Sequence, residues 1–236
     1  MSYVDLKHVL ADLALEAVAH PDRATWAAVA AAYGATASDD RLGVPWKALH
    51  TRASQIADPL GWRVGPQGAA YLVDRGVLTR RDATFTLKPQ YGPYLRYFRQ
   101  QTSRLIEALR FLTTSGRPRA SSDLQRGIAL FNAGLFFECH ELLEGLWRAT
   151  SGPDKDFYHG VVQVAAAFYH YEKHNRHGAV TLLTKGRDRL APYPSSYLGV
   201  DVAAFRKSLE PWAVMFDAQA EERWPQSFPH IVFAWN

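Results

Sequence analysis

The sequence predicts a mainly α-helical protein, in which a helical-hairpin bundle is preceded by a smaller α+β domain. Two observations predict this fold. Apolar residues recur at three- and four-residue spacing along most of the 236 residues, which is the period of an amphipathic helix. A Ser-, Gly- and Pro-rich stretch, residues 113–122, interrupts that pattern near the middle of the chain, and such composition is typical of a linker.

Composition limits the classes of protein that this chain can form. Hydrophobic residues make up 47% of it, which is enough for a sizeable core. The sequence has no apolar run of about 18 residues, so it predicts no membrane span, and its first residues do not resemble a signal peptide. Cys139 is the single cysteine, which excludes an internal disulfide and favours a cytoplasmic location.

The charged residues are distributed unevenly along the chain. Residues 1–90 carry 10 basic and 9 acidic side chains, residues 91–120 carry 6 and 1, and residues 121–236 carry 11 and 13. Five of the nine histidines fall between positions 140 and 177. The first 90 residues therefore lack the basic excess of a typical DNA-binding domain, and the histidines indicate where a chemical site lies.

Residues 1–90 are predicted to form one small domain that begins with helices. Helical apolar spacing covers residues 5–19, 22–34 and 45–57. Gly34 ends the second of these helices. Pro45 is tolerated in the first turn of the third, where its missing N–H would have no partner.

Residues 68–89 predict a helix followed by a β-hairpin. The helical pattern stops at Gly76, and two short runs, VLTR and TFTL, flank the turn RDA. This stretch resembles the end of a winged helix-turn-helix domain, where a recognition helix precedes the wing. The resemblance implies a winged-helix-like α+β domain in which Arg75, Arg80 and Arg81 contact DNA phosphates. Winged domains also serve as interaction modules without DNA.

Residues 91–121 predict a long helix followed by the linker. The apolar residues of YGPYLRYFRQQTSRLIEALRFL lie on overlapping helical faces, and its arginines form a solvated face. We expect this helix to bridge the two halves of the chain.

Residues 122–236 predict an all-α domain with an aromatic C-terminal tail. The helical segments are 122–134, 135–150, 153–175 and 177–192. Their short connections place consecutive helices antiparallel, as two helical hairpins. A loop and one further helix follow, and the tail is rich in Trp and Phe.

The second of these helices carries residues of the types that bind metals. His140 and Glu144 are four residues apart and share a helical face with Trp147. Glu138 and Glu141 lie close by, and positions 138, 141 and 144 follow one another at three-residue spacing. Carboxylates this close repel each other unless a positive charge lies among them.

The next helix carries His159, Gln163 and His170 on one face. Antiparallel pairing would set this face against His140 and Glu144, and small residues at 165–167 allow the helices to approach closely. We therefore predict a site for one divalent metal ion, which by ligand type is Zn, Mn, Fe or Ni.

The predicted site assigns a role to each of these side chains. The predicted ligands are His140, Glu144, His159 and His170, the predicted outer partners are Glu138, Gln163 and Trp147, and Glu141 is the predicted general base.

Residues 122–210 resemble a known family, the bacterial and archaeal domain of unknown function 309. The signature of that family, His-x-x-x-Glu-x-x-Trp, stands here as His140, Glu144 and Trp147. Three more segments agree in order, namely DFYHGVVQVAAAFYH, HNRHGAVTLL and PYPSSYLGVD. The resemblance implies an all-helical domain whose signature binds metal.

One turn departs from the pattern of that family. His174 stands where the family has a glycine before Asn175. The departure bears on the backbone geometry of this turn and on nothing else in the resemblance.

Three functions of different classes fit these observations. The first is a helical metal-binding protein or metal-dependent hydrolase, and the second is a winged-helix DNA-binding regulator with a helical sensor for a small molecule. The third is a helical interaction scaffold, an oligomer or a monomer, in which the histidine and glutamates form a buried polar network. The sequence has no phosphate loop, nucleophile elbow or dinucleotide fingerprint, so enzymatic activity rests on the metal site alone.

Overall fold

The computed structural model describes residues 2–114, 122–217 and 227–234. The chain divides into two compact units, Met1–Thr114 and Ser115–Asn236. The described residues are mainly helical with small antiparallel strand pairs, which confirms the predicted fold class. None of the helices in these ranges combines the length and the apolar character needed to cross a bilayer.

The N-terminal unit combines helices with a three-stranded antiparallel sheet. The strand order is β1–β3–β2, so the first strand joins the sheet beside the last. The elements are α1 (Ser2–Ala19), α2 (Ala24–Thr36), β1 (Gly43–Pro45), α3 (Trp46–Ala57), α4 (Gln67–Asp74), β2 (Leu78–Arg81), β3 (Thr84–Leu87) and α5 (Leu95–Thr114).

Helix α2 is the centre of the N-terminal unit. It is rich in alanine and mostly buried, because α1, α3, α4 and α5 all pack against it. Small side chains allow the neighbouring helices to approach closely. At the contact with α4, a Cβ atom on Gly68 would lie 2.8 Å from the Cα atom of Trp26, so this contact requires glycine.

The predicted hairpin is confirmed, whereas strand β1 was not anticipated from the sequence. Leu78 pairs with Leu87 and Arg81 with Thr84 across the hairpin. Pro45, predicted in the first turn of a helix, instead ends β1, which pairs with β3 through Val44 and Phe85. Val44 is 1% exposed, and its burial against the hairpin accounts for the extra strand.

Helix α5 packs within the N-terminal unit, although the sequence analysis assigned it to a bridging segment. The Arg99 side chain donates to the carbonyl oxygens of Gly34 at 2.7 Å and Ala37 at 2.8 Å. A cation at the C-terminal end of α2 satisfies carbonyls that lack helical partners. Residues 115–121, most of the predicted linker, lie outside the described residues.

The C-terminal unit contains the predicted helices and one small strand pair. That pair is antiparallel, two residues long in each strand, and joined by Leu198 and Gly199, which have φ angles of 49° and 79°. It is a local departure from the predicted all-α domain. The elements are α6 (Ser122–Asn132), α7 (Phe136–Ala149), α8 (Gly152–Glu172), α9 (Arg176–Leu190), β4 (Ser196–Tyr197), β5 (Val200–Asp201) and α10 (Val202–Asp217).

Helix α8 forms the core of the C-terminal unit, between α7 and α9. The ring of Phe168 is fully buried and lies at the centre of an aromatic cluster. Its ring contacts are with Phe131, Phe136, Trp212, Phe216 and Phe228. Phe228 belongs to the predicted aromatic tail, of which residues 227–234 are described.

The turn between α8 and α9 places a histidine in a backbone conformation that favours glycine. His174 has a φ angle of 56°, which is the left-handed region. Asn175 then caps α9, since its side-chain oxygen accepts from the Gly178 N–H at 3.0 Å. The turn therefore keeps the backbone geometry that a glycine would adopt, and His174 is strained in it because it carries a Cβ atom.

Gly186→Ala should destabilise the C-terminal unit by about 1–3 kcal/mol. The added Cβ would lie 2.7 Å from Cγ2 of Val164 and 3.0 Å from the carbonyl oxygen of Gly160, so α8 and α9 would have to separate. Gly145→Ala is the matched control, because apart from the adjacent backbone of α7 nothing described lies within 4 Å of its Cβ, and it should stabilise α7 by about 0.5–1 kcal/mol. Urea unfolding measures both changes, and equal effects would contradict the close packing of α8 on α9.

Candidate metal site

The buried face of helix α7 determines where the candidate site lies. Cys139 and Leu143 are fully buried against the rest of the unit. They are four residues apart and therefore define the inner face of the helix. His140 and Glu144 follow them by one position each, which places both at the edge of the buried face, where each is partly exposed.

Three side chains on α7 come together at this edge. The candidate donor atoms of His140, Glu141 and Glu144 all lie within 4.8 Å of one another. The side chains are 29%, 43% and 25% exposed, respectively, so a small ion from solvent reaches them. The group contains one imidazole and two carboxylates.

His140 and Glu141 interact directly, although consecutive helical residues diverge by about 100°. Nδ1 of His140 lies 3.2 Å from Oε1 of Glu141. This contact favours the proton on Nδ1, and a carboxylate that accepts such a proton orients an imidazole for metal binding through its other nitrogen. Within the described residues, Nε2 of His140 makes no hydrogen bond.

Arg148 is a charged residue of this surface that the sequence analysis did not include. Its guanidinium donates to Oε1 of Glu144 at 2.8 Å, and the Arg148 side chain is 70% exposed. The spacing of Glu at i and Arg at i+4 is a visible sequence signal for such a pair. Arg148 therefore forms a weak, solvated ion pair with the Glu144 carboxylate of the site.

His159, a predicted ligand, does not join the three-residue cluster. Its ring stacks on Trp147 with a centroid distance of 4.3 Å and an interplanar angle of 28°. The ammonium of Lys155 lies 5.8 Å from the same indole ring. Trp147 therefore serves as a stacking partner at the end of α7, and His159 is engaged by a ring rather than by the carboxylates.

His170, the other predicted ligand on α8, also lies outside the cluster. Its Nδ1 is 2.8 Å from Nδ2 of Asn175, in the turn that joins α8 to α9. An amide nitrogen only donates, so Nδ1 of His170 accepts this hydrogen bond. His170 therefore belongs to the hairpin turn of these two helices.

The register of α7 against α8 explains these positions. Two ring pairs, Phe137 with Tyr169 and Trp147 with His159, fix the offset of the antiparallel helices. By the same offset, position 144 lies opposite position 162, and position 140 lies opposite position 166. His159 therefore lies about one turn of α8 from position 162, and His170 lies about one turn from position 166 in the other direction. Neither histidine is directly opposite the cluster.

Gln163 is the α8 residue of the predicted set that lies nearest to Glu144 by this register. Its side chain is 9% exposed. Within the described residues its Oε1 atom is buried and has no hydrogen-bond partner. Buried polar oxygens are normally paired, so the Oε1 atom of Gln163 is an acceptor on α8 that remains available to a further group.

Glu138 is the most buried acid of α7, at 2% exposure. It lies on the inner side of the helix, beside Cys139, and not with the exposed carboxylates. Burial raises the pKa of the Cys139 thiol, and the charge of Glu138 raises it further. Cys139 is therefore a core residue and not a reactive thiolate.

The three arginines predicted to contact DNA lie in different settings. Arg75 follows the end of α4, pairs with Asp12 at 3.4 Å, and lies over the ring of Tyr71 at 5.3 Å. Arg80 and Arg81 are exposed on β2. The hairpin arginines are thus accessible, whereas Arg75 is already engaged.

The domain that carries the cluster has counterparts among known proteins. Residues 124–182 match the family described as "Domain of unknown function (DUF309)", which confirms the resemblance found in the sequence. The matched segment contains the whole of α7 and α8.

Two relatives share parts of the sequence. An uncharacterized protein of Aquifex aeolicus (strain VF5) is 23% identical over 125 residues, which cover 52% of this chain and 37% of that protein. The uncharacterized protein YpuF of Bacillus subtilis (strain 168) is 39% identical over 49 residues, which cover 20% of this chain and 28% of YpuF. The chain thus spans roughly a third of the length of these relatives.

His159 should titrate below its ordinary pKa of 6.5. Burial lowers the pKa, the guanidinium of Arg189 lowers it further, and the carboxylate of Asp156 partly offsets both. The folded state disfavours the imidazolium of His159. The contribution of His159 to the free energy of unfolding is therefore fully present above pH 6.5 and is lost as the pH falls through the folded pKa. NMR titration of the ring measures this pKa directly.

His159→Phe is the control for that titration, because it keeps a ring against Trp147 and cannot gain a proton. The variant should lose this part of the dependence of the unfolding free energy on pH. A His159 pKa at or above 6.5 would contradict the stacked, partly desolvated position.

Proposed function

Since residues 124–182 carry a domain of the DUF309 family, we propose that this domain binds one divalent metal ion through His140 and Glu144. The close approach of His140, Glu141 and Glu144, whose donor atoms lie within 4.8 Å of one another, is the observation that carries the proposal. The site is a metal-binding surface on a single helix, next to the α7–α8 seam.

The donor set fits a divalent transition metal. An imidazole nitrogen and carboxylate oxygens are ligands of Zn, Mn, Fe and Ni, and no thiolate is needed. His140 presents a ring nitrogen without a partner in the described residues, and Glu141 orients the ring from the other side. A carboxylate in this outer position is a common feature of histidine metal ligands.

The charges of the site also favour a cation. Glu141 and Glu144 bring two carboxylates to one turn of α7, where mutual repulsion is relieved by a positive charge. Arg148 now supplies that charge to Glu144. Because the pair is solvent-exposed and therefore weak, a metal ion that binds Glu144 has little to displace.

Gln163 supports the position of the site on α7, next to the α7–α8 seam. Its buried Oε1 lacks a protein partner in the described ranges, and by register it lies beside the residue opposite Glu144. An amide oxygen is a neutral acceptor, so Gln163 offers a hydrogen-bond acceptor beside the site without adding negative charge.

Hydrolysis is the reaction class that we propose for this site if it is catalytic. A bound divalent ion would supply Lewis acidity. Glu141 is the most exposed carboxylate of the cluster and is placed to accept a proton from a water molecule. His159 and His170 have no role in this scheme, because each is held by another contact.

The interaction scaffold is the competing function for the same residues. In that case His140, Glu141, Glu144 and Arg148 form only a polar network on the surface of α7. The network predicts a metal-free protein whose stability a chelator leaves unchanged, so the two functions differ in a measurable way.

We also propose that the N-terminal unit is a winged-helix module. The element order from α2 to β3, with β1 joined to the sheet through β3, supports this proposal. In such a module α4 would take the place of the recognition helix. Exposed Arg80 and Arg81 favour DNA binding as a second candidate function. The exposed residues of α4, however, include Ala70 and Asp74, and an acid on a recognition helix repels phosphate.

His140→Ala and Glu144→Gln should each abolish the binding of Zn²⁺ or Mn²⁺ measured by isothermal titration calorimetry. In the wild type, a metal concentration about 100-fold above Kd should stabilise the domain by roughly 2.7 kcal/mol. Trp147→Phe is the control, because an indole is not a ligand, so this variant should keep its metal affinity. A wild type that binds neither ion would leave the polar network as the function of these residues.

Arg148→Ala should strengthen metal binding about two- to fivefold, because it removes an exposed ion pair with Glu144 that contributes at most about 1 kcal/mol. Calorimetric titration measures the change, and Arg187→Ala, a substitution on α9 of a side chain outside the cluster, serves as the control. Weaker metal binding by the Arg148 variant would show that Arg148 supports the site and does not compete with the ion.

A further inference from the structure

A pocket of about 350 Å³ lies in the N-terminal unit, between α4, the start of α3 and the hairpin β2–β3. Its walls include Trp46, Phe85, Ala70 and Val73. Ligand sites begin at roughly this size, with mainly apolar walls and a few polar groups. The pocket therefore has room for one small molecule of the size of an aromatic amino acid.

The aromatic walls of this pocket are held in place by the sheet. The ring centroids of Trp46 and Phe85 are 5.8 Å apart. The backbone N–H of Trp46 donates to the carbonyl oxygen of Ala83 at 2.6 Å, which joins the start of α3 to the hairpin. The pocket is thus built by tertiary contacts between separate elements.

Arg80 places a cation in the pocket wall with its terminal nitrogens available. Its Nε donates to the Asp82 carbonyl oxygen at 2.9 Å, and its guanidinium lies 5.7 Å from the centroid of the Phe85 ring. These two contacts orient the group. In the described part of the chain, its terminal nitrogens make no hydrogen bond or ion pair.

Asp74 places an anion in the same pocket. It is the last residue of α4, where a negative charge opposes the helix dipole. Among the described residues it has no hydrogen-bond or ion-pair partner, and it forms no salt bridge with Arg80 although both line the pocket. The pocket therefore combines apolar walls with two separated, unpaired charges of opposite sign.

We propose that this pocket binds a zwitterion with a large apolar side chain, namely a free α-amino acid such as phenylalanine. The ligand carboxylate would pair with Arg80, the ammonium with Asp74, and the side chain would lie against Trp46 and Phe85. A ligand with only one charge leaves one protein charge without a partner, so the pocket discriminates against it. The site belongs to the N-terminal unit and is independent of the metal site.

Duplex DNA fits the same pocket less well. Asp74 repels phosphate, and a concave wall of aromatic and aliphatic side chains offers nothing to a DNA backbone. Arg75, which is next to Asp74 in the sequence, already forms an ion pair with Asp12.

Calorimetric titration of the full chain with L-phenylalanine tests the proposal, with 3-phenylpropanoate and phenethylamine as analogues that each carry one charge. Both analogues should bind at least tenfold more weakly than phenylalanine. Arg80→Gln and Asp74→Asn should each lower the affinity for phenylalanine at least tenfold. Arg80→Gln should leave phenethylamine binding unchanged, and Asp74→Asn should leave 3-phenylpropanoate binding unchanged, because each analogue lacks the group that the altered residue would bind.

Arg81→Gln and Asp39→Asn are the matched controls, since both residues are exposed and neither lines the pocket. They should bind phenylalanine as the wild type does. Two results would overturn the proposal: no saturable binding of phenylalanine, or equal affinity for the zwitterion and its singly charged analogues. Salt-dependent binding of duplex DNA that Arg80→Gln and Arg81→Gln weaken equally, without phenylalanine binding, would assign the hairpin to phosphate contact instead.

Discussion

The packing of α8 between α7 and α9 is the constraint on which the C-terminal unit depends. Phe168 lies at the centre of the aromatic cluster on one side of α8. On the other side, the absence of side chains at Gly160 and Gly186 brings α9 close. Helix α8 therefore has little freedom to slide or rotate, and its position decides which face α7 must bury.

That constraint determines the electrostatics of the candidate site. Cys139 and Leu143 are buried in the core. His140 and Glu144, which follow them in the sequence, therefore lie side by side at the edge of α7. The helix thus concentrates an imidazole and two carboxylates on a surface that solvent reaches. The same geometry that packs the core brings two carboxylates and an imidazole together at one edge of α7, which is the basis on which we propose cation binding.

Helical periodicity predicted most of the fold, because it reports directly which residues a helix buries. The segments predicted at 135–150 and 153–175 correspond to Phe136–Ala149 and Gly152–Glu172. Strand β1 and the β4–β5 pair were missed because each strand has only two or three residues, too few for an alternating pattern. Formation of β1 also depends on a partner distant in sequence, Phe85 for Val44, whereas β4 and β5 pair with each other across a two-residue turn.

The candidate site was predictable only in part, for a physical reason. Spacing along one helix indicates which side chains share a face, so it grouped His140 with Glu144. It does not indicate how far one helix is shifted along its neighbour, and that shift places His159 on Trp147. His170 is instead held by Asn175 in the turn that follows its own helix. The rotamers that bring Glu141 to His140 are likewise set by local packing and charge.

The most direct test of the account is NMR of the histidine ring nitrogens during a Zn²⁺ titration. We predict that the signals of the His140 nitrogens change most, with the shift of a directly bound nitrogen, while those of His159 and His170 remain at their metal-free positions. A titration in which His140 stays unchanged, or in which His159 or His170 shows the bound shift instead, would contradict the assignment of the site to the outer edge of α7.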